Sequence, residues 1–405
     1  MQTTGLIKHQ KARLKAKTWT HVHIGSGVEL SRWEYFFRDD KLVLLDYAML
    51  AKEAERNPQL IDALTDAADD DKGSLYSFLM RHPDKSLGAR LGEDTRVLPQ
   101  EVARSNEKKR KLRQCRLFTG SPKCYIPGTS VKGALRTAYL SHQIATDRNK
   151  KDWLPRSPQF TDKDNLRSLQ TPIMRQFNDI GSRENKLFQH VIVRDTRRFG
   201  NNDIGIATVD IYAPPPNGKG RRDQHQSQQS KDDIYCEVIL SEIPFEVQLI
   251  LRKSELQESP IDSVEKLLDV ADKFYRRVWE REKLARISHD RQNPRLKAFY
   301  NDPGFQPPDD HYLLRLGWGS GQHATSVLMD YREFYAQSLG TQADTPLRVG
   351  PSYNKPSGHR LKERQPYPFS AKCALANDND DGDPNKGQPL GWVIVSKKVV
   401  IEDAS

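Results

Sequence analysis

Polar and apolar residues alternate over Thr18–Ile24, which predicts a strand running into Gly25-Ser26-Gly27, where glycines permit a sharp, open turn. Glu34–Phe37 and Lys41–Asp46, joined by the polar Arg38-Asp39-Asp40, predict a β-hairpin. From Ala48 to Leu98 the apolar spacing becomes helical, with Leu60, Ile61 and Leu64 and then Leu75, Phe78 and Leu79, predicting a charged helical insertion. A helix is predicted over Val131–Ile144, with Thr129 or Ser130 suited to the N-cap. Strands follow at Leu187–Val193, Ile204–Tyr212, Ile234–Leu240 and Phe245–Leu251. A long helix over Ile261–Ser288 places Val264, Leu267, Leu268, Ala271, Phe274 and Val278 on one face, a face suited to a core. Tyr312–Leu316 reads as a strand entering Gly317-Trp318-Gly319-Ser320-Gly321, with a helix near Ala324–Gln337. At the C-terminal end, Ala371–Leu375 and Trp392–Val400 predict a hairpin around an acidic turn.

Composition adds a partner class. Lys and Arg number 64 against 54 Asp and Glu, a formal charge of +10 that suits a polyanion such as nucleic acid. No apolar stretch approaches the roughly 18 to 20 residues of a membrane span. The basic segment Met1–Lys17 has no apolar run behind it, so no secretory signal is read and a soluble, cytoplasmic protein is expected. Ala213–Asp233, rich in Pro, Gly, Gln, Ser and Asp, carries too little apolar surface to order itself and is expected to be a floppy loop. Cys115, Cys124, Cys236 and Cys373 form no C-x-x-C pair, so neither a zinc ribbon nor a disulfide framework is expected, and no cofactor or metal. The acidic turn is no EF-hand either. With Gly382 aligned to the EF-hand glycine, Asn377 and Gln388 stand where a ligating Asp and Glu are needed.

Two stretches carry candidate chemistry. Between Arg104 and Arg116 seven cations face only Glu107, a run that serves either as a solvated loop or as a phosphate-contacting arm. In the helix after Tyr125-Ile126-Pro127-Gly128-Thr129-Ser130, one face is apolar (Val131, Ala134, Leu135, Ala138) and another carries Lys132, Arg136, Tyr139 and Gln143. First-turn amides at the positive end of a helix hold anions, so this start with Lys132 and Arg136 can hold a phosphate; a capped core helix with two solvated cations is the ordinary alternative. A nucleotide P-loop is excluded because Lys132 precedes Gly133 and Ala134 follows it. The loops His23-Ile24-Gly25-Ser26-Gly27 and Gly317–Gly321, each behind a predicted strand, favour the anion reading, because glycines let a backbone approach a sugar–phosphate chain without regard to base identity.

Taken together, H-I-G-S-G, Y-I-P-G-T-S-V-K-G-A-L-R-T-A, R-D-T, L-R-L-G-W-G-S-G and P-L-G-W-V resemble the RAMP superfamily of type III CRISPR systems. In order and spacing they are most similar to the Csm-five capping subunits of the type III-A Csm complex. The resemblance implies an α+β fold: an RRM-like, ferredoxin-type core with a helical insertion and additional β-hairpins. Thr18–Ile24 would be its first strand, Val131–Ile144 the first helix, Leu187–Val193 and Phe245–Leu251 the middle strands, Ile261–Ser288 the second helix and Tyr312–Leu316 the last strand. The chain is thus expected to be one unit, with core segments 18–47, 121–212 and 234–337, an insertion at 48–120, the loop 213–233 and a C-terminal hairpin lobe at 338–405. The family implies a guide-RNA-binding scaffold at the 3′-end side of the complex, beside a RAMP backbone subunit and a small subunit. Target RNA would be met indirectly, and host nucleases would be recruited for guide trimming. Carried over by position, the RNA groove would use His23, Gly25, Ser26, Gly27, Ser130, Lys132, Arg136, Asp195, Gly317, Gly319 and Gly321. The loop 213–233 could serve as a thumb-like hairpin against the guide–target duplex.

The competing class is a metal-independent endoribonuclease. Strand alternation would put His21 and His23 on one face beside the first glycine loop, where an imidazole could move a proton. No second catalytic partner is evident, so a non-catalytic role is expected. Asp195 alone is too few carboxylates for a nuclease metal site, and a contact to backbone amides or a neighbouring subunit is the expected role.

Overall fold

A computed structural model describes residues 9–38, 41–69, 73–97, 112–115, 123–146, 188–212, 234–252, 261–287, 294–325, 373–376 and 388–404. The loop 213–233, residues 104–111 and 116 of the basic run, the helix expected beyond Thr325 and residues 377–387 of the acidic turn lie outside them.

The first strand, β1 (His9–Thr18), lies upstream of its expected place. Gln10, Ala12, Leu14, Ala16 and Thr18 are buried while Lys11, Arg13 and Lys15 are exposed, a period-two pattern in which small alanines stand where larger apolar residues are usual. Residues 19–24 instead make two isolated bridges, Val22 to Ile239 and His23 to Trp318. Along one edge β1 pairs with β10 (Pro244–Arg252), from His9 opposite Arg252 to Lys17 opposite Pro244. Its other edge is shared: β14 (Trp392–Ser396) takes Ala16–Thr18 and β15 (Val400–Ala404) takes His9–Arg13. With β7 (Val191–Val193) beyond β10 and β11 (His311–Arg315) beyond β14, the sheet order is β11-β14-β1-β10-β7.

Two helices, α5 (Gly128–Thr146) and α6 (Val264–Ile287), bury their apolar faces in one cluster with this sheet. The chain order β1-α5-β7-β10-α6-β11 is that of a ferredoxin-type core, with one difference from expectation. The strand beside β1 is β14, and β11 lies one position further out. β7 is also shorter than expected, because Phe188–His190 are helical.

The remaining strands form a second sheet, ordered β2 (Gly25–Leu30), β6 (Leu112–Cys115), β9 (Ile234–Ile239), β8 (Ile204–Tyr212), β5 (Gly92–Val97), β4 (Lys41–Leu45) and β3 (Tyr35–Arg38). The expected β3–β4 hairpin and the β8 and β9 strands are present. Among its described residues the insertion forms four helices, α1 (Tyr47–Arg56), α2 (Gln59–Ala68), α3 (Leu75–Arg81) and α4 (Leu87–Leu91), and the end of the stretch read as helical, Gly92–Val97, is the strand β5. Leu60, Leu75, Leu79, Leu87 and Leu91 from these helices bury against Phe36 and Val43. A hairpin closes around the acidic turn, but its second strand is β13 (Gln388–Pro389) rather than Trp392–Val400. Its first half, β12 (Cys373–Ala376), pairs with β8 in the second sheet, whereas β14 joins β1 and β11 in the first. Two strands that each match a different open edge separate in this way, because the pairing partner is chosen by edge and face rather than by sequence proximity.

One charged network is sealed inside. The Arg315 guanidinium, 2% exposed, pairs with the Glu282 carboxylate of α6, 3% exposed, and the Tyr300 hydroxyl donates to the same carboxylate. Arg315 also lies 4.6 Å above the Trp392 ring and donates to the Leu390 carbonyl. Trp279 packs beside it, with Trp19, Trp392, Tyr300 and Phe299 around its ring at 4.8 to 5.6 Å. A buried charge left without its partner is costly, so Glu282→Leu or Arg315→Leu alone is expected to lower the unfolding free energy by about 3–5 kcal/mol. Urea denaturation checks this, and the double replacement is expected to cost less than either single one.

Candidate nucleic-acid interface

β1, β7 and β11 run in one direction, each being antiparallel to a strand that separates it from the next. The segments leaving β1 and β11 meet beyond the sheet. The Trp318 amide donates to the His23 carbonyl at 2.8 Å, the Gly391 amide to the His21 carbonyl at 2.8 Å, and the Leu316 amide to the Gly391 carbonyl at 2.8 Å. No side chain fits between them. A Cβ on Gly317 would stand 2.2 Å from the His23 oxygen, and one on Gly391 would stand 2.3 Å from the Leu316 oxygen. Both glycines also have left-handed backbones, at φ 80° and 99°. The structure thus brings His21–Ile24, just ahead of Gly25, Ser26 and Gly27, against Gly317, and adds Gly391 from the P-L-G-W-V motif.

The first loop differs in conformation from its expected open turn. Gly25–Leu30 is β2, with Gly25 and Gly27 exposed and Ser26 Oγ accepting the Val28 amide. The histidines turn inward rather than into a groove. His21 is 7% exposed and its Nδ1 accepts the Ser241 amide at 2.8 Å. His23 is 2% exposed, its Nδ1 lies 2.7 Å from the Glu237 carbonyl, and its ring meets Trp318 edge-on at 5.7 Å. Neither imidazole is presented to a substrate. His23 holds the two glycine loops in place from behind.

The helix start forms a second cluster, on the β7 edge. Gly128 is seated on the end of β7 so closely that a Cβ would be 2.1 Å from the Val193 oxygen. α5 begins at Gly128, so Thr129 and Ser130 lie inside its first turn instead of capping it. The cap comes from a distant segment: Asp195 Oδ1 accepts the Gly128 amide at 2.8 Å. The Ser130 amide turns back to the Pro127 carbonyl at 2.9 Å. With those two amides engaged, anion binding here falls mainly to side chains. Arg136 is exposed; Lys132 is half-buried, and burial lowers its ammonium below its ordinary value.

Segments 124–128 and 194–199 flank the helix start. Thr196 donates its amide to the Ile126 carbonyl and Phe199 to the Cys124 carbonyl, so the two run side by side. Lys123, Arg194, Arg197 and Arg198 are exposed along them. Val131 in the first turn of α5 and Leu316 before the second glycine loop line the same small apolar cavity, which ties the helix start to that loop through the core.

Sequence reasoning stopped at R-D-T and missed the adjacent cations, although the full run Arg194-Asp195-Thr196-Arg197-Arg198 was legible. It also missed Arg315, within L-R-L-G-W-G-S-G, whose guanidinium approaches the Gly319 carbonyl at 3.5 Å from inside.

The comparisons agree with this architecture. Among solved structures, a chain of the Csm–crRNA–target RNA ternary complex of a type III-A CRISPR-Cas system, determined by cryo-EM, aligns at TM-score 0.58 with 17% identity, covering 95% of this chain and 100% of that one. The crystal structure of T. onnurineus Csm5 aligns at TM-score 0.60 with 18% identity, covering 94% and 99%. At such identities the likeness is one of fold. No curated protein matches by sequence. The family model described as the RAMP superfamily matches residues 15–290, more than half of the chain and including both histidines, the first glycine loop, α5 and the Arg194–Arg198 run. The chain belongs to the RAMP superfamily.

Proposed function

We propose that this protein is a guide-RNA-binding scaffold subunit of a type III-A CRISPR effector, capping the 3′-end side of the complex and lacking nuclease activity of its own. The observation that carries this is the closely packed backbone at Gly317 and Gly391, in a fold that also exposes Lys123, Arg194, Arg197 and Arg198 on paired segments beside a helix start with Lys132 and Arg136. Backbone set close to the surface beside cations suits a ribose–phosphate chain held without base readout. Membership of the RAMP superfamily and the shared fold with T. onnurineus Csm5 support the same reading.

The partners follow from it: guide RNA on this surface, a RAMP backbone subunit and the small subunit alongside, target RNA through the guide, and host nucleases recruited for trimming. No helix among the described residues is long and apolar enough to cross a membrane. The burial of His21 and His23 speaks against catalysis by either imidazole, since a general acid or base must reach the proton it moves.

Charge reversal tests the surface. Lys132→Glu with Arg136→Glu is expected to weaken binding of single-stranded repeat RNA and to flatten the dependence of log K on log salt by about 1.4, roughly 0.7 for each lost phosphate contact. An unchanged slope removes both residues from the interface. Arg194→Glu with Arg197→Glu is expected to behave in the same way. Incubation with end-labelled repeat RNA, with and without Mg2+, is expected to give retention on a gel and no cleavage. Products that vanish in His21→Ala or His23→Ala would instead establish the endoribonuclease.

A further inference from the structure

Behind the first glycine loop, side chains far apart in the chain meet in the interior. Cys115 ends β6, Cys124 precedes α5, and Glu237 lies on β9. All three are buried, at 2%, 0% and 0% exposure, and their ligating atoms lie within 4.8 Å of one another. His23 joins them from the segment after β1, with its Nδ1 3.7 Å from Cys115 Sγ. The spacing rules for zinc motifs look for pairs of ligands on one short segment, and this set comes from four.

We propose that Cys115, Cys124, Glu237 and His23 form a structural site for a zinc ion. Two thiols, a carboxylate and an imidazole are the donor types of a closed tetrahedral zinc centre, and thiolates favour zinc over the hard cations. Zinc–sulfur and zinc–nitrogen bonds at tetrahedral angles place S and N roughly 3.6 Å apart, close to the observed Cys115–His23 separation, and the two thiols and the carboxylate would close in from separations within 4.8 Å. The Cys115 amide donates to Glu237 Oε2 at 2.9 Å, which already orients that carboxylate.

In the absence of metal the Cys115 thiol donates to the Glu237 carbonyl at 2.9 Å, and hydrogen bonding to Cys124 together with burial pushes that thiol well above its ordinary value. Loading therefore exchanges protons for metal: one Zn2+ enters, each of the two thiols releases one proton to solvent, and His23 gives up the hydrogen bond from Nδ1 to the Glu237 carbonyl and carries its proton on Nε2 instead. Affinity accordingly rises with pH. The ion would fasten the first glycine loop, β6, β9 and the approach to α5 to one point. None of this depends on RNA binding.

The test uses the full chain, expressed with zinc and purified in reductant without chelator. Elemental analysis is expected to find about one zinc per chain, and Cys115→Ser or Cys124→Ser to lose it. Exchange of the unmodified protein into Co2+ is expected to produce thiolate-to-cobalt charge transfer in the near ultraviolet and the visible bands of tetrahedral cobalt, a reading that needs no variant to fold. Protein without stoichiometric zinc that also shows no charge transfer with Co2+ overturns the proposal. A Cys115–Cys124 disulfide in a non-reduced digest does the same.

Discussion

The close approach of three backbone segments, His21–His23, Leu316–Trp318 and Gly391, is the constraint on which the candidate surface depends. Hydrogen bonds of 2.8 Å join them, and the volume that a Cβ would occupy at Gly317 or Gly391 is already filled by carbonyl oxygen. Such contact leaves no adjustable side chain between the strands that feed it. The geometry of the loops is thus set by the sheet below: β11 and β14 pair from His311–Ser396 to Arg315–Trp392, and β14 meets β1 at Ala16–Thr18. Arg315 completes the arrangement from inside, reaching Glu282 on one side and the Leu390 carbonyl on the other. The backbone junction beneath the candidate surface is thus braced by a buried cation.

Much of this was legible in the residues. Regular period-two and helical patterns placed β3, β4, β10, α5 and α6 within a few residues, while β8 and β9, buried on both faces wherever their burial is described, were legible from their β-branched content. β1 was shifted because alanines at 12 and 16 are small and three lysines and arginines alternate with them, so its inward face looked polar. The histidines were misplaced for a related reason. Alternation shows which residues share a face but not whether that face meets solvent or another sheet, and at His21 and His23 the second sheet is what they meet. Strand partners were less legible still: nothing local to Trp392–Ser396 indicates that it will slip between β1 and β11.

The helix start illustrates how a motif can be found correctly and explained incompletely. Gly128 begins α5 as the P-G-T-S pattern suggested, but the stabilising acceptor is Asp195, from a part of the chain with its own separate motif. The I-P-G-T-S and R-D-T stretches are two halves of one structural device, the first supplying amides and the second the carboxylate that satisfies one of them. The cations flanking Asp195 then follow as the external face of the same segment, since Thr196 and Phe199 turn inward.

The divided edge of β1 bears on biosynthesis. This strand leaves the ribosome well before β14 and β15, which among the described residues cover its second edge. Until those two strands emerge, the nascent chain carries an unpaired strand edge with alternating Lys and Arg on its outer face, charges that discourage pairing with other polypeptides while the proper neighbours are still being made.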